Sequence, residues 1–211
     1  MTISVRIPAA VIALSLSLAA LPAMAGDLVV KVTDAAGKPV RDAVVAFTPS
    51  GGASIGEDTR KGPFVMAQKN IHFSRFVLAV PMGATVSFPN QDRVNHHVFS
   101  FSPAGPFQLP LYGPGQTRSV KFDKEGTVAL GCNIHDSMTA YIRVVATPYF
   151  ATTGDDGKVT IDVPAGAGKI VVWQPLMDAP NHETDRAVTS SGGEQDFSVK
   201  VHAMAPMAGM Y

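Results

Sequence analysis

Gly126-Thr-Val-Ala-Leu-Gly-Cys132-Asn-Ile-His135-Asp-Ser-Met138-Thr-Ala-Tyr-Ile-Arg-Val-Val145 is the stretch on which the reading of this chain turns. Val128, Leu130 and Cys132 alternate on one face going in, and Ala140, Ile142 and Val144 alternate coming out. The spacing predicts a strand, a tight loop and a second strand. On the loop a thiol, an imidazole and a thioether stand at C-x2-H-x2-M. With one more imidazole, these soft donors form the set that suits copper, and the loop must be tight for residues six apart to meet one ion. A further imidazole is at hand upstream, in Asn95-His96-His97-Val98.

Outward from that stretch, turn residues keep interrupting short alternating runs. Phe76 to Gly83 leads into Ala84-Thr-Val-Ser-Phe88, where polar and apolar positions separate cleanly. Pro89-Asn90-Gln91-Asp92 turns the chain, and Asn95-His96-His97 opens the next strand. Phe107 to Gly115 is a loop of Pro, Gly and aromatic residues with little charge. Thr117 to Phe122 alternates again, and Asp123 to Gly126 turns into the ligand strand.

These elements resemble a cupredoxin of the plastocyanin–amicyanin kind, the small Greek-key β-sandwich that holds a type 1 copper. The matching pieces are V-x-F-x-N at Val86 to Asn90, a His opening the next strand, G-x-G-x-T at Gly113 to Thr117, F-x-x-x-G at Phe122 to Gly126, and the C-x2-H-x2-M loop. The loop spacing is closest to amicyanin. The resemblance implies one type 1 copper per chain, with Cys132 as thiolate, His135 as an imidazole ligand and Met138 as the axial thioether. For the first imidazole, the family pattern H-N-V aligns His96 and leaves His97 where Asn is usual, so the bracing around the Cys loop departs from the pattern. Strand parity points instead to His97, which shares a face with Phe99 and Phe101. His96 is the favoured ligand and His97 the alternative.

The flanks belong together. Asp27 to Ser50 resembles the opening of a transthyretin-like or carboxypeptidase-regulatory-like β-sandwich, in its V-x-D-x-x-G-x-P-V-x-x-A-x-V pattern. The continuation comes about a hundred residues later, at Asp155 to Pro175, and Glu194 to His202 supplies a last alternating strand. The expected architecture is all-β: a cupredoxin sandwich at 61–145, inserted in or joined to a second small sandwich made of 27–60 and 146–203. Gly51 to Gly62 reads as a linker without periodicity, and Trp173 as core of the second sandwich. A flexible tail at 204–211 carries Met204, Met207 and Met210, thioethers that suit Cu(I). With its leader and split flanks, the whole chain resembles the exported proteins labelled methylamine utilisation protein or cupredoxin-like protein.

The first 25 residues read as a targeting segment. Arg6 is their only charge, an apolar run spans Ile7 to Leu21, and Ala23-Met24-Ala25 is an A-x-A site that predicts cleavage after Ala25 by a general secretion route. Without Arg6 the chain has 16 basic and 17 acidic residues and no basic run, so nothing points to nucleic acid. No later apolar run approaches the roughly 20 residues of a membrane span. Cys132 is the only cysteine. In an oxidising compartment it can close no disulfide within the chain; the plain alternative to a ligand is a buried, inert thiol. His72, His182 and His202 have no partner at ligand spacing. No H-x-H pair, G-x-S-x-G, H-E-x-x-H or phosphate loop occurs, and no carboxylates pair for acid–base work, so no enzyme is expected.

The function expected is that of a periplasmic, monomeric copper protein passing single electrons to a transient redox partner, with the uncharged loop at Pro110 to Gly115 as docking surface. The rival expectation is copper storage, delivery or sensing. Nothing in these residues reads an amine.

Overall fold

The computed structural model describes residues 25–190 and 193–202. The expected leader, except Ala25, and the Met-rich tail lie outside the described residues.

The elements fall into three groups along the chain. β1 (Ala25–Asp34), β2 (Val44–Pro49) and a short helix α1 (Glu57–Lys61) come first. The middle group is β3 (Phe64–Val65), β4 (Gln68–Lys69), β5 (His72–Phe73), β6 (Val77–Pro81), β7 (Ala84–Pro89), β8 (Val98–Ser100), β9 (Phe107–Gln108), β10 (Thr117–Phe122), β11 (Gly126–Cys132) and β12 (Thr139–Val145). The last group is β13 (Tyr149–Thr152), β14 (Lys158–Pro164), β15 (Gly166–Trp173), β16 (Glu183–Ser190) and β17 (Gly193–Val199).

The middle group folds on itself. One sheet runs β10-β7-β3 and the other β6-β12-β11-β8-β9. Alternation makes each strand two-faced: Ala84, Val86 and Phe88 are buried while Thr85 is exposed. The inward residues of both sheets, among them Val86, Phe88, Val98, Phe122, Leu130 and Ile142, enclose one core. Each such side chain contributes about 1.5–3 kcal/mol by leaving water. β11 and β12 pair antiparallel through Val128↔Ile142 and Leu130↔Ala140, so the quoted stretch is a hairpin with Cys132 at its tip. β6 joins β12 in parallel, which requires the chain to cross over between sheets. The fold is all-β, and this part is a two-sheet sandwich consistent with the cupredoxin-like one expected.

The remaining strands build a second pair of sheets, β14-β1-β17 and β13-β2-β15-β16. β1 pairs antiparallel with β14 through Leu28↔Ile161 and parallel with β17 through Val32↔Phe197. Val30, Val45, Phe47, Ile170 and Val172 are buried between them. Gly168 is required by close approach: a Cβ there would lie 2.4 Å from the Phe47 ring.

A third apolar cluster is the seam between the sandwiches. Val44, Ala46 and Trp173 pack there against Val77, Ala79 and Val145. Trp173 is buried as expected, but at this seam rather than inside the second sandwich. Arg143, on the outward face of β12, closes the seam. Its Nη2 donates to Glu183 Oε2 at 2.6 Å, and its guanidinium lies 5.5 Å from the Trp173 ring centre. The stretch read as a linker contains α1, five residues without a buried side chain, so no apolar stripe announces it in the sequence.

Candidate metal centre

β8 decides which histidine faces the core. Just before it, His96 and Tyr112 exchange main-chain hydrogen bonds, each 3.0 Å, which fixes the pleat. His96, Val98 and Ser100 are then buried, whereas Phe101 is 72% exposed. Phe99 points outward over Gly131, where a Cβ would meet its ring at 2.9 Å, and packs at a tilt against Phe101 with ring centres 5.0 Å apart. His97 therefore does not face the core: it shares its side with Phe99 and Phe101, and here those two phenylalanines mark the outer face.

Opposite β8, Cys132 pairs with Val98 and is buried at the end of β11. The loop that follows is fastened by two main-chain bonds. The Asn133 N–H donates to the His97 carbonyl and the Met138 N–H to the His135 carbonyl, both at 3.0 Å. Met138 is buried in the same core as Cys132, and both line a groove beside Phe99.

Three donor atoms converge. Cys132 Sγ lies 3.7 Å from His96 Nδ1 and 3.8 Å from His135 Nδ1, and the two imidazole rings are 5.1 Å apart. All three atoms lie within 4.8 Å of one another. An ion with metal–sulfur and metal–nitrogen bonds of about 2.3 and 2.0 Å, held in trigonal geometry, needs sulfur–nitrogen edges of about 3.8 Å. Donor set and spacing thus fit an ion held in a triangle of two nitrogens and one sulfur, with the buried Met138 thioether on the same hairpin.

The His96 ring is held from behind. Its Nε2 lies 2.9 Å from Asp92 Oδ2. Asp92 also accepts the N–H of Asn70 at 2.7 Å and of Ile71 at 2.9 Å. Burial pushes the Asp92 carboxyl up, but the Ile71 N–H, the His96 ring and the Asn70 N–H together outweigh it and hold the group below the ordinary carboxylate range. An ionised Asp92 only accepts, so His96 presents Nε2–H to it and turns a bare Nδ1 toward Cys132. Tyr112, whose hydroxyl donates to Gln68 Oε1, has its phenol pushed up, first by burial and then by the nearby Cys132.

Of the sequence candidates, the structure brings together His96, Cys132 and His135, with Met138 beside Cys132, and leaves His97 outside. His72 and His182 each donate Nδ1–H to a carbonyl, of Asn70 and Met177, and His202 lies by Asp178. Sequence reasoning missed Asp92, Asn90, Gln68 and Tyr112. Asp92 was visible only as a turn residue, and Asn90 as a turn residue and the end of the V-x-F-x-N motif, without its hydrogen bonds. Asn90 in fact donates to the Val94 and Tyr112 carbonyls and accepts the Asp92 N–H.

No protein-family model matches the chain, and no curated protein matches it. Solved structures do. The purple cupredoxin of Nitrosopumilus maritimus is 22% identical over 39% of this chain and 99% of its own, with a TM-score of 0.35. A reduced Cu(I) form of an amicyanin variant is 23% identical over 48% of this chain and 98% of its own, at 0.37. The copper-containing nitrite reductase of Thermus scotoductus SA-01 is 26% identical over 56% of this chain but 28% of its own, at 0.38. Overlap of this extent leaves the site to be read from its own residues.

Proposed function

We propose that this chain is an exported type 1 copper protein that passes single electrons between redox partners. The observation that carries the reading is the convergence of His96 Nδ1, Cys132 Sγ and His135 Nδ1 at trigonal spacing. His96, Cys132, His135 and Met138 would hold one copper; when bound, it supplies a one-electron couple between Cu(II) and Cu(I). A mostly buried donor set whose loop is fastened by main-chain hydrogen bonds favours such exchange, because the ligands would need little rearrangement.

The surface around the site supports the reading. Val94, Leu111 and Ile134 are 40%, 54% and 49% exposed, and each stands within two residues of His96, Tyr112 or His135. Exposed apolar side chains so near the site residues in sequence suit a small, transient interface. Secretion after Ala25, the divisions at 27–60, 61–145 and 146–203, the transthyretin-like character of the second sandwich and the absence of an enzymatic role belong to the same proposal and rest on the sequence motifs.

The test is a visible and EPR spectrum of the Cu(II)-loaded protein beside Cys132→Ser. The expected result is an intense blue band with narrow copper hyperfine splitting, both lost in the variant. A pale wild type with wide splitting, or a variant with the same spectrum, would remove Cys132 from the metal and the electron-transfer reading with it.

A further inference from the structure

We infer that the β4–β5 hairpin is an outer clamp that sets His96 in its ligating tautomer before any metal arrives. β4 and β5 pair through Gln68↔Phe73 and Lys69↔His72, leaving a two-residue loop. Both loop residues are left-handed, Asn70 at φ 54° and Ile71 at φ 58°. Such a loop suits a tight hairpin, but its second place ordinarily belongs to glycine, and a β-branched residue there is strained. Strain of this kind persists where the surroundings fix it, and it collects at functional sites. Here the Ile71 side chain packs on the main core, which offsets that strain.

The strained loop gives two aligned donors. With both residues left-handed, the N–H groups of Asn70 and Ile71 reach the two oxygens of one carboxylate, Asp92 Oδ1 at 2.7 Å and Oδ2 at 2.9 Å. Oδ2 then takes the His96 Nε2 contact at 2.9 Å. The same hairpin also grips the His96 main chain. Gln68 Oε1 accepts the Tyr112 hydroxyl, its Nε2 donates to the Met66 carbonyl at 2.8 Å, and Tyr112 pairs with His96 on both sides. Ring and backbone of His96 are thus tied to one element about 25 residues upstream in sequence. Asp92 is the positioning residue, and the turn at Asn70 and Ile71 positions Asp92. The purpose of the clamp, a half-built copper site, rests on the copper reading; the clamp itself does not.

The test uses the metal-free chain with 15N-labelled histidine, and long-range proton–nitrogen correlations that report where each ring carries its proton. Wild type should show His96 in one form, protonated at Nε2 and bare at Nδ1. Ile71→Gly keeps both amide donors and the turn, and should leave that form unchanged. Asp92→Asn should give a mixture of His96 tautomers with the His135 signals unmoved, and should weaken Cu(II) binding roughly 10- to 100-fold. Asn70→Pro, which loses a donor and cannot take the turn, should do the same; if it fails to fold, Asp92→Asn decides. A single unchanged His96 tautomer in folded Asp92→Asn, or a mixture already present in wild type, would overturn the clamp. Failure of the copper reading appears separately, as a Cys132→Ser spectrum equal to wild type.

Discussion

His96 and His135 offer the same ring nitrogen to the same sulfur at nearly the same distance, yet the protein treats them differently. His96 has no exposed surface; its ring is bonded to Asp92 and its main chain to Tyr112. His135 is half-buried on a loop fastened by two main-chain bonds, and its Nε2 has no hydrogen-bond partner among the described residues. One side of the site is tied into the core, and the other stands on a partly exposed loop. That asymmetry teaches where stability and chemistry separate: a change at His96 should disturb both, a change at His135 only the second.

The largest expected effect is on that contrast. His96→Ala removes a buried ring and leaves the Asp92 carboxylate without one partner, so the metal-free protein should lose about 2–3 kcal/mol in urea unfolding as well as its blue spectrum. His135→Ala should lose the spectrum while changing stability by less than about 1 kcal/mol. Equal losses of stability would break the comparison.

Next in size is a cut at the seam. Arg143→Met removes the guanidinium that Glu183 and Trp173 share, leaving Glu183 partly buried and unpaired. A cost of about 1–2 kcal/mol is expected with the copper spectrum unchanged, since Arg143 is on the outward face of β12. A shifted band would mean that the second sandwich reaches the site.

A pH series sharpens the His96 side. Asp92 is held below its ordinary range in the folded protein, so the unfolded chain takes up its proton first as pH falls. Its contribution is therefore present above the unfolded value of about 3.9 and lost as pH drops through the folded one. Urea midpoints of the metal-free protein should fall between pH 5 and 3, and Asp92→Asn should start lower and fall less. Parallel curves would deny Asp92 this part. The smallest effects belong to the outward side chains flanking β8: His97→Ala and Phe101→Ser should each stay within about 0.5 kcal/mol of wild type with unaltered spectra.

The hairpin that ends in Cys132 was legible because its burial alternates residue by residue, and because Cys, His and Met on one loop have few other joint uses. The choice between His96 and His97 was harder. Hydrophobic side chains normally mark the inner face, but Phe99 is drawn outward by the space over Gly131, a cross-strand fact absent from local sequence. Asp92 could not be read as a partner of His96, since its place depends on a turn built from Asn70 and Ile71, and isoleucine signals no such turn. The parallel pairing of β1 with β17 was equally hidden: residues about 165 apart meet there, and alternation shows that a strand exists without naming its neighbour. Trp173 was legible as buried but not as the seam, because burial does not say against what.

Voltammetry of the copper-loaded chain, with copper counted before and after repeated cycles in the presence of a Cu(I) chelator, tests the central claim most directly. The account predicts one reversible one-electron wave and one copper per chain throughout. Loss of copper to the chelator on the first reduction would contradict it and leave a protein that carries the metal rather than the electron.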